Sequence, residues 1–457
     1  MAVYIVGGGF AGCEAAYQLS RRGVPVKLID MKPIKYSPAH HSALFCELVC
    51  SNSFKSADVN TASGLLKEEM RTLGSLVLNC ADKSTVPAGG ALAVDREVFS
   101  KLVTDELLND HNVEVVSEIV TDIGDIVRRP DAEAVIIATG PLTDEPLSQN
   151  IRSRLGEDSL SFFDAAAPVV YKESIDFDKA FYASRYGKGD SDYINCPMNE
   201  REYAAFYSEL VNAECAPVKD FDNDCVYEGC MPVEVMARRG IDTLRYGPMK
   251  PVGITNPDTG ERYYAVVQLR RDDINDTLYN IVGFQTRLKF GEQKRVFGMI
   301  PGLENAEYAR YGVMHKNTYI KSPLVLDQTY MAREKSLGDD IAATGVKVFF
   351  AGQITGVEGY IESASSGLLA GINAYCVLNG LPPFIPGPAT QTGALCAYVS
   401  GYCGSDFQPM GANMGIMNPV IKDNNKFIRD KKLKKQLISK SALDILKQIK
   451  TDRSDLF

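Results

Sequence analysis

Val3 to Val6 is a short apolar run that stops at Gly7-Gly8-Gly9-Phe10-Ala11-Gly12, after which Ala15, Ala16 and Leu19 recur at helical spacing. That pattern predicts a strand, a tight turn and a helix. The helix is expected to stop near Gly23. Val24 to Ile29 is a second apolar run closed by Asp30, completing a strand-helix-strand unit with an acid at the end of its second strand. Ser63 to Cys80 carries a helical stripe of Leu65, Leu66, Met70, Leu73, Leu76 and Val77, and a second helical stretch covers Arg96 to Leu108. Short strands are predicted at Val113 to Val116 and at Ala134 to Ala138, the latter running into Thr139-Gly140.

From about residue 165 to about residue 325 the texture becomes rich in Tyr and Pro. Two alternating runs, Tyr263 to Leu269 and Leu278 to Phe284, flank the turn-like stretch Asp272 to Asp276 and predict a hairpin. A strand pattern returns at Val346 to Ala351 and runs into Gly352-Gln353-Ile354-Thr355-Gly356-Val357-Glu358-Gly359, followed by a helix with Ile361, Ala364, Leu368 and Ile372 on one face. Two glycine-rich junctions so far apart predict a dinucleotide-binding domain that is interrupted and later resumed. The expected class is α/β: a Rossmann-like domain, suited to FAD more than to NAD alone, from residues 1–165 and 326–457, interrupted by a mixed α+β insertion domain at 166–325.

A chain of 457 residues exceeds what one hydrophobic core usually serves, which agrees with that division. Its 45% apolar and 23% charged residues are ordinary globular values. The start shows no basic segment followed by an apolar core and cleavage pattern, and no apolar run approaches about 18 residues, so neither export nor a membrane span is expected. Eleven scattered cysteines fit reduced thiols in a cytoplasm. The net charge of −9 argues against a nucleic-acid binder, yet Lys422 to Lys450 holds ten Lys and Arg against Asp423, Asp430 and Asp444. The C-terminus, from about residue 420, reads as a basic appendage on an acidic body, for which a solvated helix face is the bland alternative.

In the first junction Gly7 permits the tight turn, Gly9 lets a pyrophosphate approach the backbone, and Gly12 allows close helix packing. The helix N-terminus offers amide donors and partial positive charge, and Asp30 can accept from ribose hydroxyls. Gly8, Phe10 and Ala11 complete that loop, and Gly140, Gly352 and Gln353 are assigned to the same cofactor cradle. At the second junction a helix starting after Gly359 would stabilise negative charge on a flavin. Cys50, in a polar loop, and Cys230, between a glycine and a Met-Pro pair, look positioned for chemistry. Cys13, Cys46, Cys80, Cys196, Cys215, Cys225, Cys376, Cys396 and Cys403 are read as buried small hydrophobes. The spacings of Cys46 with Cys50 and of Cys225 with Cys230, beside His40-His41, are poor for zinc, and no metal is expected.

Several stretches, in order and across nearly the whole length, resemble signatures of the TrmFO family: Pro38 to His41, Glu47-Leu-Val-Cys-Ser-Asn-Ser53, Gly64 to Met70, Val86 to Arg96, Glu228-Gly-Cys-Met-Pro-Val-Glu-Val-Met-Ala237, Phe284-Gln-Thr286 and Gly352 to Gly359. The family usually has a small residue where Gly8 stands and often a glutamate where Asp30 stands, and both residues here preserve the physical role. The resemblance implies a flavoprotein that methylates C5 of a uridine in the T-arm of tRNA. Its carbon would come from 5,10-methylenetetrahydrofolate and its electrons from NAD(P)H through FAD. A few relatives modify ribosomal RNA, which is the alternative target, and no obligate protein partner or membrane is implied.

Carried over by motif, Cys230 would be the nucleophile on the uracil and Cys50 an assisting thiol. The chemistry asks for such parts, because uracil C5 becomes nucleophilic only when a thiolate adds at C6, and a folate methylene needs two more electrons to become methyl. Glu228, Glu234, His40, His41 and Cys50 are candidates for the base that takes the C5 proton. The basic tail with Arg270, Arg271, Lys289, Lys294 and Arg295 is expected to form a positive rim for RNA. Three rival readings remain: a GidA-type wobble-uridine enzyme, which would be longer with a helical C-terminal domain, a small-molecule flavin oxidoreductase, and a non-catalytic RNA-binding flavoprotein.

Overall fold

The computed structural model describes residues 1–156, 160–187, 191–217, 231–404, 407–419 and 430–457, and for 160–164 and 315–316 the backbone alone. Five strands form a parallel sheet in the order Lys347–Phe350, Ala132–Ile137, Ala2–Val6, Val26–Asp30, Val113–Ser117. Ile5 pairs with both Leu28 and Ile136, and Lys347 with Ala134. The three central strands are covered on both faces, which is why they read as continuous apolar runs without alternation. The strand at 347 rejoins this sheet after a long excursion, so the two glycine-rich junctions end strands of one sheet on either side of Ala132–Ile137.

The helices that follow those junctions, Phe10–Ser20 and Tyr360–Leu378, lie against each other. A Cβ on Gly367 would stand 2.1 Å from the carbonyl oxygen of Ala11, and one on Gly371 2.8 Å from that of Ala15. The two backbones therefore touch, and only glycine fits at the closest point.

The stripe from Ser63 to Cys80 is not one helix. It breaks into Ala62–Leu73 and Leu76–Lys83, because Gly74 closes the first in a left-handed conformation and the Ser75 side chain accepts from Leu78 N–H to start the second. Glu14, fully buried on the first glycine helix, accepts from Ser75 Oγ and from the N–H groups of Leu76 and Val77. A carboxylate thus caps a helix N-terminus from a neighbouring element.

A second, antiparallel sheet has the order Phe181–Tyr182, Tyr193–Met198, Ala265–Arg271, Leu278–Ile281, Val169–Tyr171, Tyr308–Arg310. It has its own core, including Tyr203, Phe206, Phe284 and Phe297. The predicted hairpin is present, with Leu269 opposite Ile281, but its first strand runs on through Arg271 and its second ends before Phe284. Leu160–Ala165 and Met314–Tyr319, which lead into and out of this part, pair antiparallel with each other.

The two sheets are joined by a buried bidentate ion pair. Arg96 Nε lies 2.7 Å from Asp272 Oδ2 and Nη2 3.0 Å from Oδ1, with both side chains almost fully covered. The basic C-terminal segment forms a helix, Lys431–Asp452, laid on Ala62–Leu73. Ile438, Ala442 and Leu446 are its buried apolar residues, the buried Ser439 Oγ donates to Val59 O at 2.8 Å, and Lys450 Nζ donates to Thr72 O at 2.8 Å. Among the described residues no helix is long and apolar enough to cross a membrane.

Arg96→Leu leaves the Asp272 carboxylate buried without its partner. It should lower unfolding stability by about 3–5 kcal/mol, measured by denaturant titration, and a change under 1 kcal/mol would show that the pair does not hold the two sheets together.

Candidate active site

The carboxyl ends of the parallel strands open into a cleft of about 1140 Å³ of empty space. Gly7, Gly8, Gly9, Phe10, Ala11, Asp30, Gly140, Gly352 and Gln353 all line it, with Glu47, His40, Tyr360 and Ser363. Gly7 has φ +110°, and a Cβ there would meet Ala138 O at 2.4 Å. Gly12 does not line the cleft. It sits behind the turn, where a Cβ would fall 1.9 Å from Gly7 O, so it holds helix and strand together. Gly9 has nothing within 4 Å of its Cβ position, so the turn is open on the cleft side.

The helix Phe10–Ser20 has no side-chain cap and no acid in its first turn, and the helix from Tyr360 is likewise uncapped by a side chain. Both N-termini reach the cleft and offer amide donors with partial positive charge, an arrangement that accepts phosphate. Asp30 is buried and fixed by backbone: Oδ2 accepts from Gly8 N–H at 2.6 Å and Oδ1 from Lys32 N–H at 2.8 Å. Those bonds leave carboxylate lone pairs for a sugar diol. The residues present therefore fit a dinucleotide.

A second chamber, of about 1420 Å³, adjoins the cleft and shares Val49, Pro141, Leu142, Gln353 and Tyr360 with it. It lies at the seam between the two sheets. Cys50, Lys55 and Glu358 come from the parallel-sheet side, Arg270, Asn280, Gly283 and Gln285 from the antiparallel side, and Asn317 from the connecting strand. The Cys50 loop is fixed from all sides. Arg270 Nη2 donates to Ser51 Oγ at 2.7 Å and Nε to Asn52 Oδ1 at 3.2 Å, Asn52 Nδ2 donates to Val94 O and Arg271 O, and Arg96 Nη2 donates to Cys50 O.

The Cys50 thiol meets the hydroxyl of Tyr360 at 3.0 Å, and the same hydroxyl accepts from Cys50 N–H at 3.0 Å. Burial, then the nearby Cys50, pushes the Tyr360 phenol well above its ordinary range. The phenol therefore stays neutral, within hydrogen-bond distance of the thiol. Tyr360 stacks on Phe10 at 4.7 Å and 28°, and Phe54 and Phe99 complete an aromatic floor.

The match to a family model covers most of the chain, and that to individual relatives nearly all of it. The model of the family described as "Glucose inhibited division protein A" covers residues 2–382. The chain is 54% identical over 446 residues to the Methylenetetrahydrofolate--tRNA-(uracil-5-)-methyltransferase TrmFO of Acetivibrio thermocellus, covering 98% of each chain. It is 50% identical to the protein of the same name from Enterococcus faecalis, again over 98% of each. The chain belongs to the TrmFO family. A solved structure of Aquifex aeolicus GidA shares its fold, with a TM-score of 0.67 and 16% identity, covering 98% of this chain but 73% of that one.

In this TrmFO-family chain the candidate bases are scattered. Glu234 is fully buried in the antiparallel half, accepting from Thr286 Oγ1 at 2.8 Å and Arg287 N–H at 3.0 Å, and lines neither volume. His40 lines the cleft beside Ser37, where burial holds its pKa below the usual histidine range. His41 only donates its backbone N–H to Glu47. Cys225, Glu228 and Cys230 lie outside the described residues. Their segment is anchored at described positions on both sides: Ala216 N–H donates to Arg287 O, and Val233 N–H donates at 2.7 Å to the backbone carbonyl of Gln285, a chamber residue.

Two readings need correction. Arg270 is not a rim cation, since its guanidinium is buried on the Cys50 loop. Most of the other insert cations are neutralised: Arg271 pairs with Asp276, Lys289 with Glu214, and Arg295 with Glu209 and Glu292. Among the cysteines assigned to the interior, Cys403 is exposed and Cys215 half-buried. Tyr360 and Glu358 were missed as site residues, although both stand at the second glycine-rich junction.

Gly12→Ala forces a methyl group against Gly7 O. The purified variant should lose its bound flavin absorbance while keeping its secondary structure by circular dichroism, and full flavin content would mean that the turn is not the cradle.

Proposed function

We propose that this chain methylates C5 of a uridine in the T-arm of tRNA, taking the carbon from 5,10-methylenetetrahydrofolate and the electrons from NAD(P)H. The observation that carries the reading is that the Cys50 chamber and the dinucleotide cleft share the Tyr360 and Gln353 wall, so a thiol and a redox cofactor can serve one substrate. FAD, when bound, supplies the two electrons that take a folate methylene to the methyl level. Gly7, Gly9 and the N-terminus of the helix from Phe10 hold its pyrophosphate and Asp30 its ribose, with Gly8, Ala11, Gly140, Gly352 and Gln353 shaping the cradle. The RNA substrate and the reduced cysteines set this work in the cytoplasm.

Cys230 is the nucleophile that adds to uracil C6 and so makes C5 carbanion-like. Covalent geometry keeps its Cα within about 11 Å of that of Val233, whose N–H is tied to the chamber wall. Cys50 is the second thiol, oriented by Tyr360, and is suited to take the proton from C5 as its hydrogen-bonded thiolate. Residues 1–165 with 326–457 hold the cofactor, and 166–325 close the chamber over the substrate. The coverage of the TrmFO relatives, 98% against 73% for GidA, favours this reading over the wobble-uridine one.

The test is incubation with labelled methylenetetrahydrofolate, NAD(P)H and either tRNA or ribosomal RNA transcripts, with the label then mapped. Label should appear at C5 of a T-arm uridine, and label only in ribosomal RNA would move the target. Cys230→Ser should abolish transfer while leaving flavin and RNA binding intact, and full transfer by that variant would remove Cys230 as nucleophile. Reversing Lys431, Lys432, Lys434 and Lys435 to Glu should weaken tRNA binding and flatten the slope of log affinity against log salt by up to about 3.6, at about 0.9 per phosphate contact. An unchanged slope would leave the C-terminal helix without a part in RNA binding.

A further inference from the structure

Away from the cleft, three aromatic rings of the antiparallel half form a ladder. Tyr308 and Tyr311 stack with centroids 4.8 Å apart and planes 10° from parallel, and Phe290 stacks on Tyr311 at 4.6 Å and 19°. The inner end is anchored, since the Tyr308 hydroxyl donates to Gln293 O at 3.3 Å. The outer end is open: Phe290 remains 55% exposed although Tyr311 covers one of its faces. A large apolar ring is thus held flat, with its free face toward solvent.

The ladder stands behind the chamber wall. Gly312, next to Tyr311, is packed so closely on Ala166 that a Cβ would lie 2.7 Å from the Ala166 carbonyl oxygen, and Ala166 lines the chamber. Two cations lie next to the rings along the chain. Lys294 is one helical turn beyond Phe290 on the helix Phe290–Phe297, which puts the two side chains on one face. Arg310 precedes Tyr311 and is exposed. Unlike Lys289 and Arg295, neither cation has a hydrogen-bonded or ion-paired side-chain partner among the described residues.

We propose that the Phe290–Tyr311–Tyr308 ladder is a stacking platform for an unpaired base of the RNA substrate, with Lys294 and Arg310 on the adjoining phosphates. The inference rests on the RNA-methylation reading and extends it from the chemistry to how the strand is held. An enzyme acting on a base within folded RNA must break local stacking, and the bases beside the target then need a new surface. An aromatic face supplies one whatever the sequence, and cations beside it hold the backbone.

The chain contains no tryptophan, so Phe290→Trp places a single indole reporter at the outer rung. Substrate tRNA should quench its emission saturably, at the concentrations that saturate methylation. Phe290→Leu keeps apolar bulk but removes the flat face, and at fixed salt it should weaken tRNA binding about tenfold with flavin content and melting temperature unchanged. Tyr246→Leu, at a ring 82% exposed outside the ladder, should bind as wild type. Wild-type affinity in Phe290→Leu, or an indole blind to saturating tRNA, overturns the platform while wild-type methylation leaves the function standing. A wild-type protein that neither binds nor methylates RNA overturns both.

Discussion

The backbone contact between the two glycine-bearing helices is the constraint from which the site follows. Helices from opposite ends of the chain can aim their N-termini into one cleft only if they lie nearly against each other. Gly367 and Gly371 make that possible by leaving no side chain where Ala11 and Ala15 approach. Through this contact Tyr360 comes to stack on Phe10, and the second junction becomes a wall of the same cavity that the first junction floors. A methyl group at Gly367 would push the helices apart by more than the cavity could absorb, since close-packed interiors transmit such shifts.

A second constraint operates at the seam between the sheets. The chamber exists because two separately cored halves meet without merging, and polar groups cover the junction: Arg96 with Asp272, Arg270 with Ser51 and Asn52. Buried guanidinium groups are costly unless every donor is used, and here they are spent on the backbone and side chains of residues 48–52. The desolvation that this costs is offset by fixing the loop that carries a thiol, where small displacements matter to reactivity.

What could be read from the sequence follows the range of the interactions. The strand-turn-helix at residues 3–20, the acid closing the second strand and the returning strand at 346 are local patterns with fixed periods, and each element is present where it was expected along the chain. The helix read over Ser63 to Cys80 broke at Gly74, a stop signal outweighed in the reading by an apolar stripe that continues in phase on both sides. Arg270 was misread because its surroundings alternate like a half-exposed strand, and periodicity does not reveal that another half of the chain covers the outer face. Nor does anything in the sequence pair Cys50 with Tyr360, since a contact across the whole chain leaves no spacing to measure. The motif resemblance pointed to Cys50 and to the second junction separately, and only the fold joins them.

That junction also sets the surroundings of the Cys50 thiol. Net charge acts over long distances and is screened by salt, whereas the Tyr360 hydroxyl meets Cys50 at 3.0 Å, with both residues partly buried. The same oxygen accepts the Cys50 N–H, so the hydroxyl is held against both the backbone and the sulfur of Cys50. Phe10 and Phe54 hold the ring, with Phe99 packed behind both, so its orientation is set by packing that also shapes the first turn of the helix Phe10–Ser20. Thiol geometry and cofactor geometry therefore share one set of side chains, and a change that loosens the aromatic floor disturbs both together.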